Sequence, residues 1–180
     1  MLKPGEVRVW LVRLEGETAP LRRECSHRAL HTILETVTGA RLEFAVAEKG
    51  KPYLPGAPEV RFNLARSQEL ALVGVALGVE VGVDIERLRP LPDHEAIAER
   101  FFPPSEREGL DERDFFRRWT RIEAKLKARG VGLYGAGVEL GGDWTVEEID
   151  AGAGFAAAVA VERAVMRVVG KVFTAETPRR

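Results

Sequence analysis

The chain has 180 residues, 45% of them hydrophobic and 31% charged, and 27 basic residues against 28 acidic ones leave a formal net charge of -1. This balance is typical of a soluble globular protein, and the overall charge argues neither for nor against nucleic acid as a partner. The single cysteine, Cys25, excludes an intramolecular disulfide and a zinc site of the finger type, and it favours a reducing compartment.

The first part of the chain predicts strands around one helix. Apolar positions at helical spacing over residues 21–38 predict an amphipathic helix, which Gly39 is expected to end. A Pro/Gly-rich loop covers 48–60. Gly78 lies between two apolar runs and favours antiparallel pairing of those two strands. The strands predicted here are 7–14, 41–47, 60–64, 70–77 and 79–86.

Pro90 and Pro92 begin a second section. Helices are predicted over 93–102 and 113–129, and Ser105 with Glu108 has the pattern of a capping box for a short helix between them. The strands predicted after these helices are 138–140, 144–149, 154–161 and 165–173. We therefore predict an α+β chain of two sections, each with strands and one main helix, that meet near residue 90.

Charges interrupt the N-terminal stretch, and no run approaches 18 uncharged apolar residues. We expect no secretory signal and no membrane span, and we predict a cytoplasmic protein.

The run VGVDIE places two acids in an apolar strand. Side chains alternate along a strand, so Asp84 and Glu86 point to one face and Val83 and Ile85 to the other. An edge strand with one solvated face is the more common explanation of such a pair. The alternative is a site for a hard cation, because paired carboxylates supply the oxygen ligands that Mg²⁺ or Mn²⁺ prefers.

The second informative stretch is the helix over 113–129. Trp119, Glu123 and Lys127 follow one another at intervals of four residues and so lie along one stripe of the helix. A solvated Glu–Lys pair would explain the last two, but Trp119 in the same stripe suggests a partly buried wall. Three carboxylates and a lysine would suit a metal-assisted reaction at a pyrophosphate.

Several motifs in the same order resemble those of the 4′-phosphopantetheinyl transferases. VGVDIE resembles the family block G-(V/I)-D-(I/V)-E, and WTRIEAKLKARGVGL resembles its second block, W-(S/T)-x-K-E-(A/S)-x-x-K-x-x-G-x-G-L. The segments SHRAL, GKPYLPGAPEVRFNL and IAERFFPPSE match further family motifs. The resemblance covers roughly residues 26 to 133.

The resemblance implies a reaction and an architecture. It implies Mg²⁺-dependent transfer of 4′-phosphopantetheine from coenzyme A to a serine of an acyl or peptidyl carrier protein, with adenosine 3′,5′-bisphosphate as the other product. The length is similar to the longer, surfactin-synthetase-type branch, in which two similar α+β halves related by a pseudo-twofold form a monomer. For this chain the resemblance implies the halves 1–90 and 91–180, with the active site between them. Neither nucleic acid nor membrane is expected as a partner.

The family's site residues carry over onto individual positions of this sequence. Glu123 matches the family's candidate for activating the serine, and Lys127 matches the lysine that contacts the pyrophosphate. Asp84 is assigned to the catalytic set with them. The metal-binding carboxylates are Asp84, Glu86 and Glu123, and the expected coenzyme A contacts are Arg28, Lys51, Pro52, Arg66 and Lys127.

Three departures from the family pattern bear on coenzyme A binding. Ala65-Arg66 stands where the family usually has Ser-His, and Ile122 stands where it has a lysine. Arg22 or Arg23 is expected to replace a basic segment that relatives carry before the first helix. A relative that binds coenzyme A or a carrier protein without transferring is therefore the alternative, and a different Mg²⁺-dependent phosphotransferase is a weaker one.

Other features are given simpler explanations. His27 and His31 are four residues apart on a helix but lack a third ligand at metal-site spacing, and His94 has no evident partner. The glycines after residue 129 follow a helix, whereas a dinucleotide fingerprint opens one. A basic flank on the second long helix is either solvated or a docking surface for an acidic carrier protein: Arg113, Arg117, Arg118 and Arg121.

Overall fold

A computed structural model describes residues 2–47, 50–131, 142–162 and 167–174. The described chain is α+β, which confirms the predicted fold class. The helices are α1 (Ala19–Thr38), α2 (His94–Phe101) and α3 (Glu112–Arg129), with a 3₁₀ turn at Pro104–Glu106. The strands are β1 (Glu6–Arg13), β2 (Ala45–Val46), β3 (Pro52–Tyr53), β4 (Val60–Ser67), β5 (Leu70–Leu77), β6 (Val81–Arg87), β7 (Trp144–Glu148), β8 (Phe155–Glu162) and β9 (Arg167–Thr174).

The described strands form two main sheets and a small hairpin of β2 with β3. One sheet has the order β4-β5-β1-β9, in which β1 pairs antiparallel with β5 and parallel with β9. The other has the order β6-β8-β7 and is antiparallel. Buried side chains link α1 to the first sheet, the first sheet to the second, and α3 to the second. The layers therefore run α1, sheet, sheet, α3.

The expected hairpin of β5 with β6 is wrong. Gly78 does turn the chain there, with φ 70°, but β5 pairs with β1 and β4, whereas β6 pairs with β8. The turn carries the chain from one sheet to the other, so the two strands meet face to face: Val83 Cγ1 lies 2.7 Å from the position a Cβ would take on Gly74. β6 is therefore buried on both faces, with Val81 to Ile85 all buried.

The two long helices begin and end at signals that the sequence carries. Gly39 and Gly130 end α1 and α3 in the left-handed conformation, with φ 71° and 66°. The side chain of Asp111 accepts from the Asp114 backbone N–H at 2.7 Å and so caps α3. By contrast, the capping box expected at Ser105 is wrong: the short turn there makes no side-chain cap.

The predicted division at residue 90 remains a prediction. β6, from before residue 90, pairs with β8, and β9, from after it, pairs with β1, so the sheets exchange strands across that boundary. The strand predicted at 138–140 lies outside the described residues. In the part that is described, no helix is long and apolar enough to cross a membrane.

Candidate active site

A close contact between β6 and α3 builds the site. Gly82 has no Cβ, and one added there would lie 2.0 Å from the Ala124 carbonyl oxygen and 2.4 Å from the Ala128 nitrogen. The glycine therefore lets the helix backbone lie directly on the strand. The next residue on the same face of β6 is Asp84, whose Oδ1 accepts from Lys127 Nζ on the helix at 2.6 Å.

Among the residues that the structure describes, two buried carboxylate oxygens in this interface find no hydrogen-bond partner: Asp84 Oδ2 and Glu123 Oε1. Asp84 is only 4% exposed, so the solvated edge strand is excluded for this acid. Buried polar atoms are nearly always paired, so each of these oxygens calls for an explanation such as a water, an ion or a catalytic role. The prediction that Glu123 and Lys127 lie with Asp84 in one place is consistent with these contacts.

The surroundings of Asp84, Glu86 and Glu123 disfavour the ionised form of each carboxyl group. Burial raises the pKa of the Asp84 carboxyl, and the Lys127 ammonium offsets only part of that effect. Burial also raises the pKa of Glu123, and the charges of Asp84 and Glu86 add to the rise. Burial, followed by the charge of Asp84, raises the pKa of Glu86, while Arg89 opposes it. Each of Glu86 and Glu123 is thus close enough to a neighbouring acid for that charge to raise its pKa.

Two side chains of β4 hold the open edge of β6. The Val83 backbone N–H donates to Asn63 Oδ1 at 2.9 Å, and the Arg87 backbone N–H donates to Ser67 Oγ at 2.9 Å. Asn63 and Ser67 are four residues apart and so lie on one face of their strand. The site strand is thereby fixed to the first sheet without pairing with it.

Glu86 is held differently from Asp84. Arg89 Nη1 lies 3.2 Å from Glu86 Oε2, and Ser67 Oγ lies 3.4 Å from the same oxygen. Neither Arg89 nor Ser67 was identified from the sequence. An arginine three residues after an acid is too common a pattern to be informative, and Ser67 could have been found only as the continuation of the Asn63 face.

The acids fit a hard divalent cation by chemistry. Their donors are all carboxylate oxygens, as Mg²⁺ prefers, and two of these are buried without a partner. Within the described ranges, however, no three His, Cys, Asp or Glu side chains are grouped closely enough to hold one ion as they stand. Glu86 is paired with Arg89, so the acidic side chains would have to rearrange to hold one ion together.

On the face of β4 opposite to Asn63 and Ser67, Arg66 lies close to arginines of α1. Arg66 donates to Ser26 Oγ on α1 at 3.0 Å, and a cavity of about 490 Å³ there is lined by Arg22, Arg23 and Arg66. Burial and the charge of Arg23 lower the pKa of Arg66. Burial, Arg66 and Arg23 together lower the pKa of His27. A cavity with several like charges is suited to an anion.

The other predicted coenzyme A contacts lie elsewhere. Lys51 Nζ donates to Glu80 Oε2 at 2.6 Å and to the Ala128 carbonyl at 3.0 Å, so it ties the end of α3 to the start of β6. Pro52 is exposed on the small hairpin, and Arg28 is half-exposed and pairs with Glu24 on α1 at 3.2 Å. These contacts leave the coenzyme A assignment of the three residues a prediction.

His94, for which the sequence offered no evident partner, does make hydrogen bonds. Its two ring nitrogens lie 2.8 Å and 3.1 Å from the carbonyl oxygens of Leu91 and Leu110, and the Leu91 carbonyl is the main cause of a raised His94 pKa. On the basic flank, Arg117 pairs with Glu148 at 2.8 Å. A cavity of about 570 Å³ beside the flank is lined by acids as well as arginines, which favours a charge-balanced helix face.

Comparison with known proteins identifies relatives of this site. A family model described as the 4′-phosphopantetheinyl transferase superfamily matches residues 80–165, which include β6 and α3. The 4′-phosphopantetheinyl transferase HetI from Nostoc sp. is 42% identical over 107 residues, which are 54% of this chain and 45% of the relative.

Two further relatives carry the same description. The 4′-phosphopantetheinyl transferase Sfp from Bacillus subtilis is 30% identical over 99 residues, which are 51% of this chain and 43% of Sfp. The 4′-phosphopantetheinyl transferase AcpT from Salmonella typhi is 29% identical over 135 residues, which are 71% of this chain and 65% of AcpT. The chain thus spans about half the length of the curated relatives it matches.

Proposed function

We propose that the chain, whose residues 80–165 match the family model of the 4′-phosphopantetheinyl transferase superfamily, belongs to that superfamily and transfers 4′-phosphopantetheine from coenzyme A to a serine of an acyl or peptidyl carrier protein. The serine oxygen forms the new bond to phosphorus, the pyrophosphate bond breaks, and adenosine 3′,5′-bisphosphate leaves. The observation that carries the proposal is the pair of unpartnered buried oxygens, Asp84 Oδ2 and Glu123 Oε1, beside Lys127.

The acids at the β6–α3 interface are the proposed holders of Mg²⁺, with Mn²⁺ as a substitute. Asp84, Glu86 and Glu123 supply oxygen ligands, and a bound ion supplies positive charge that neutralises the charge developing on a reacting pyrophosphate. Lys127, now on Asp84 Oδ1 at 2.6 Å, is positioned to hold a phosphate oxygen as a point charge.

Glu123 is the proposed general base. A base works best when its pKa is close to the working pH, and burial with neighbouring negative charge raises the pKa of Glu123 in that direction. Its Oε1 has no hydrogen-bond partner in the described part of the chain and can accept the serine proton, directly or through one water.

The group of arginines beside α1 is the proposed contact for the phosphates of coenzyme A. Arg66 follows Ala65, which packs with β6, and precedes Ser67, which approaches Glu86. Side chains alternate along a strand, so an anion bound at Arg66 and Arg23 would lie on the α1 side of the first sheet, and the rest of the substrate would have to reach from there to the acids. Arginine suits this position because its guanidinium binds phosphate through two donors and stays charged.

The proposal is tested by incubating the protein with coenzyme A, Mg²⁺ and each of several apo carrier proteins, then weighing the carriers by mass spectrometry. We expect a phosphopantetheine adduct on the serine of at least one carrier and none when EDTA replaces Mg²⁺. Coenzyme A binding without any adduct would instead support the non-catalytic alternative. If the protein neither binds coenzyme A nor forms an adduct, the transferase proposal and the non-catalytic alternative are both contradicted.

Arg66→Ala is expected to raise the KM for coenzyme A about 10- to 100-fold with little change in kcat. Losing a hydrogen bond to a charged group weakens binding by roughly 1.5–3 kcal/mol, and loss of uniform binding appears in KM. Steady-state kinetics with coenzyme A as the varied substrate measure the effect, and the exposed Arg41→Ala is the matched control. An unchanged KM in a folded Arg66→Ala protein would mean that Arg66 does not contact coenzyme A.

A further inference from the structure

Arg89 is a cation that touches the acid cluster without belonging to the proposed catalytic set. Its Nη1 lies 3.2 Å from Glu86 Oε2 and donates to the Arg87 carbonyl at 3.1 Å. Its guanidinium carbon lies 4.9 Å from the centroid of the Phe116 ring. Phe116 belongs to α3, the helix that also carries Glu123, so these contacts fix Arg89 at one end of the β6–α3 interface although its side chain is 52% exposed.

The contact with Arg89 engages an oxygen of Glu86 that the proposed metal ion would need. Glu86 Oε2 is paired with Arg89 and approached by Ser67, while Asp84 and Glu123 each keep one buried oxygen without a partner. A contact of 3.4 Å is long for a hydroxyl hydrogen bond, so Arg89 rather than Ser67 is the main partner.

We propose that Arg89 is an internal counter-cation that competes with the divalent ion for Glu86. It neutralises Glu86 while no ion is bound and releases it when Glu86 becomes a ligand. The inference rests on the metal role assigned to Glu86 under the proposed function. Competition follows from charge: the guanidinium repels an incoming divalent ion, and the Arg89–Glu86 pair must open before Glu86 can turn to the other acids.

The exposure of Arg89 makes this release easy. Ion pairs at the surface are worth little, because water and salt replace the partner readily. A fully buried arginine in the same contact could not leave without losing its hydrogen bonds. The half-exposed position therefore suits a residue that alternates between two states, with the Phe116 ring and the Arg87 carbonyl holding it near the site.

Titration with Mn²⁺ alone, without coenzyme A or carrier protein, tests the inference. The electron paramagnetic resonance signal of free aqueous Mn²⁺ reports the bound fraction. Arg89→Gln is expected to lower the Kd for Mn²⁺ about two- to fivefold, the factor that corresponds to losing one exposed ion pair. Arg89→Lys, which keeps the charge, is expected to stay near the wild-type Kd.

Arg87→Gln is the matched control for charge. Arg87 is exposed to a similar degree, pairs with Glu69 at 2.9 Å and lies over the Phe155 ring. Asp84→Asn is expected to lose the saturable binding, which identifies the titrated ion as the one in the cluster. A Kd in Arg89→Gln equal to or higher than that in Arg87→Gln would overturn the role of Arg89. Absence of saturable binding in the wild type would overturn the metal assignment on which it rests.

Discussion

Asp84→Asn is expected to lower the rate of transfer at least ~10³-fold, equivalent to about 4 kcal/mol of lost transition-state stabilisation. The asparagine keeps the volume and one oxygen but removes the negative charge at the centre of the cluster. Asp84 is the acid that both contacts Lys127 and presents a free buried oxygen, so two proposed catalytic interactions are lost together. The carrier adduct, followed over time by mass spectrometry, measures the rate.

The same substitution is expected to leave the free energy of unfolding unchanged or higher in EDTA at pH 7. The folded-state pKa of Asp84 is raised by burial, so the ionised carboxylate opposes folding, and stability falls as pH rises from the unfolded pKa through the folded one. Urea denaturation of both proteins measures this. Asp93→Asn, at an exposed helix start that makes no side-chain cap, is the control. Wild-type transfer by a folded Asp84→Asn protein would contradict the catalytic and metal assignments.

The local parts of the fold could be predicted because their signals lie within a few residues. Helix ends at Gly39 and Gly130 follow from glycine in the left-handed conformation. The alternation that put Asp84 and Glu86 on one face of a strand is likewise local. The structure places both acids in β6 and makes Asp84 buried, which local pattern could not decide.

The partner of each strand could not be predicted, because pairing depends on distant segments. Gly78 has the same positive φ whether it closes a hairpin or passes the chain to another sheet. Here β8, more than 70 residues later, pairs with β6. A better signal was β8, whose run FAAAVAVE is apolar on both faces, as is typical of a strand covered on two sides.

The candidate site was predicted by residue but not by contact. Lys51 was expected beside coenzyme A, and its bond to the Ala128 carbonyl joins residues 77 positions apart. The bond from Val83 to Asn63 and the contact of Arg89 with Phe116 are also tertiary. Each of these contacts involves a common residue type, so only the folded arrangement distinguishes it from a surface residue.

Gly82→Ala is expected to have the largest effect on the fold. One methyl group would meet two backbone atoms of α3, the Ala124 oxygen at 2.0 Å and the Ala128 nitrogen at 2.4 Å. Neither can move unless the helix moves. Overpacking usually lowers the free energy of unfolding by about 1–3 kcal/mol. Both clashes here are with backbone atoms, so we expect a loss at or above the upper end of that range. Urea denaturation measures the loss, and Gly56→Ala is the control because a Cβ there meets no atom within 4 Å.

Transfer by Gly82→Ala is expected to fall about 10²-fold or more, even at temperatures where the protein remains folded. The helix must shift away from β6 by enough to admit the methyl group, and that shift carries Glu123 and Lys127 away from Asp84. A displacement of ~1 Å in a catalytic group is enough for such a loss. Circular dichroism at the assay temperature separates this effect from unfolding. A folded Gly82→Ala protein with wild-type transfer would mean that the close approach of α3 to β6 does not position the catalytic groups.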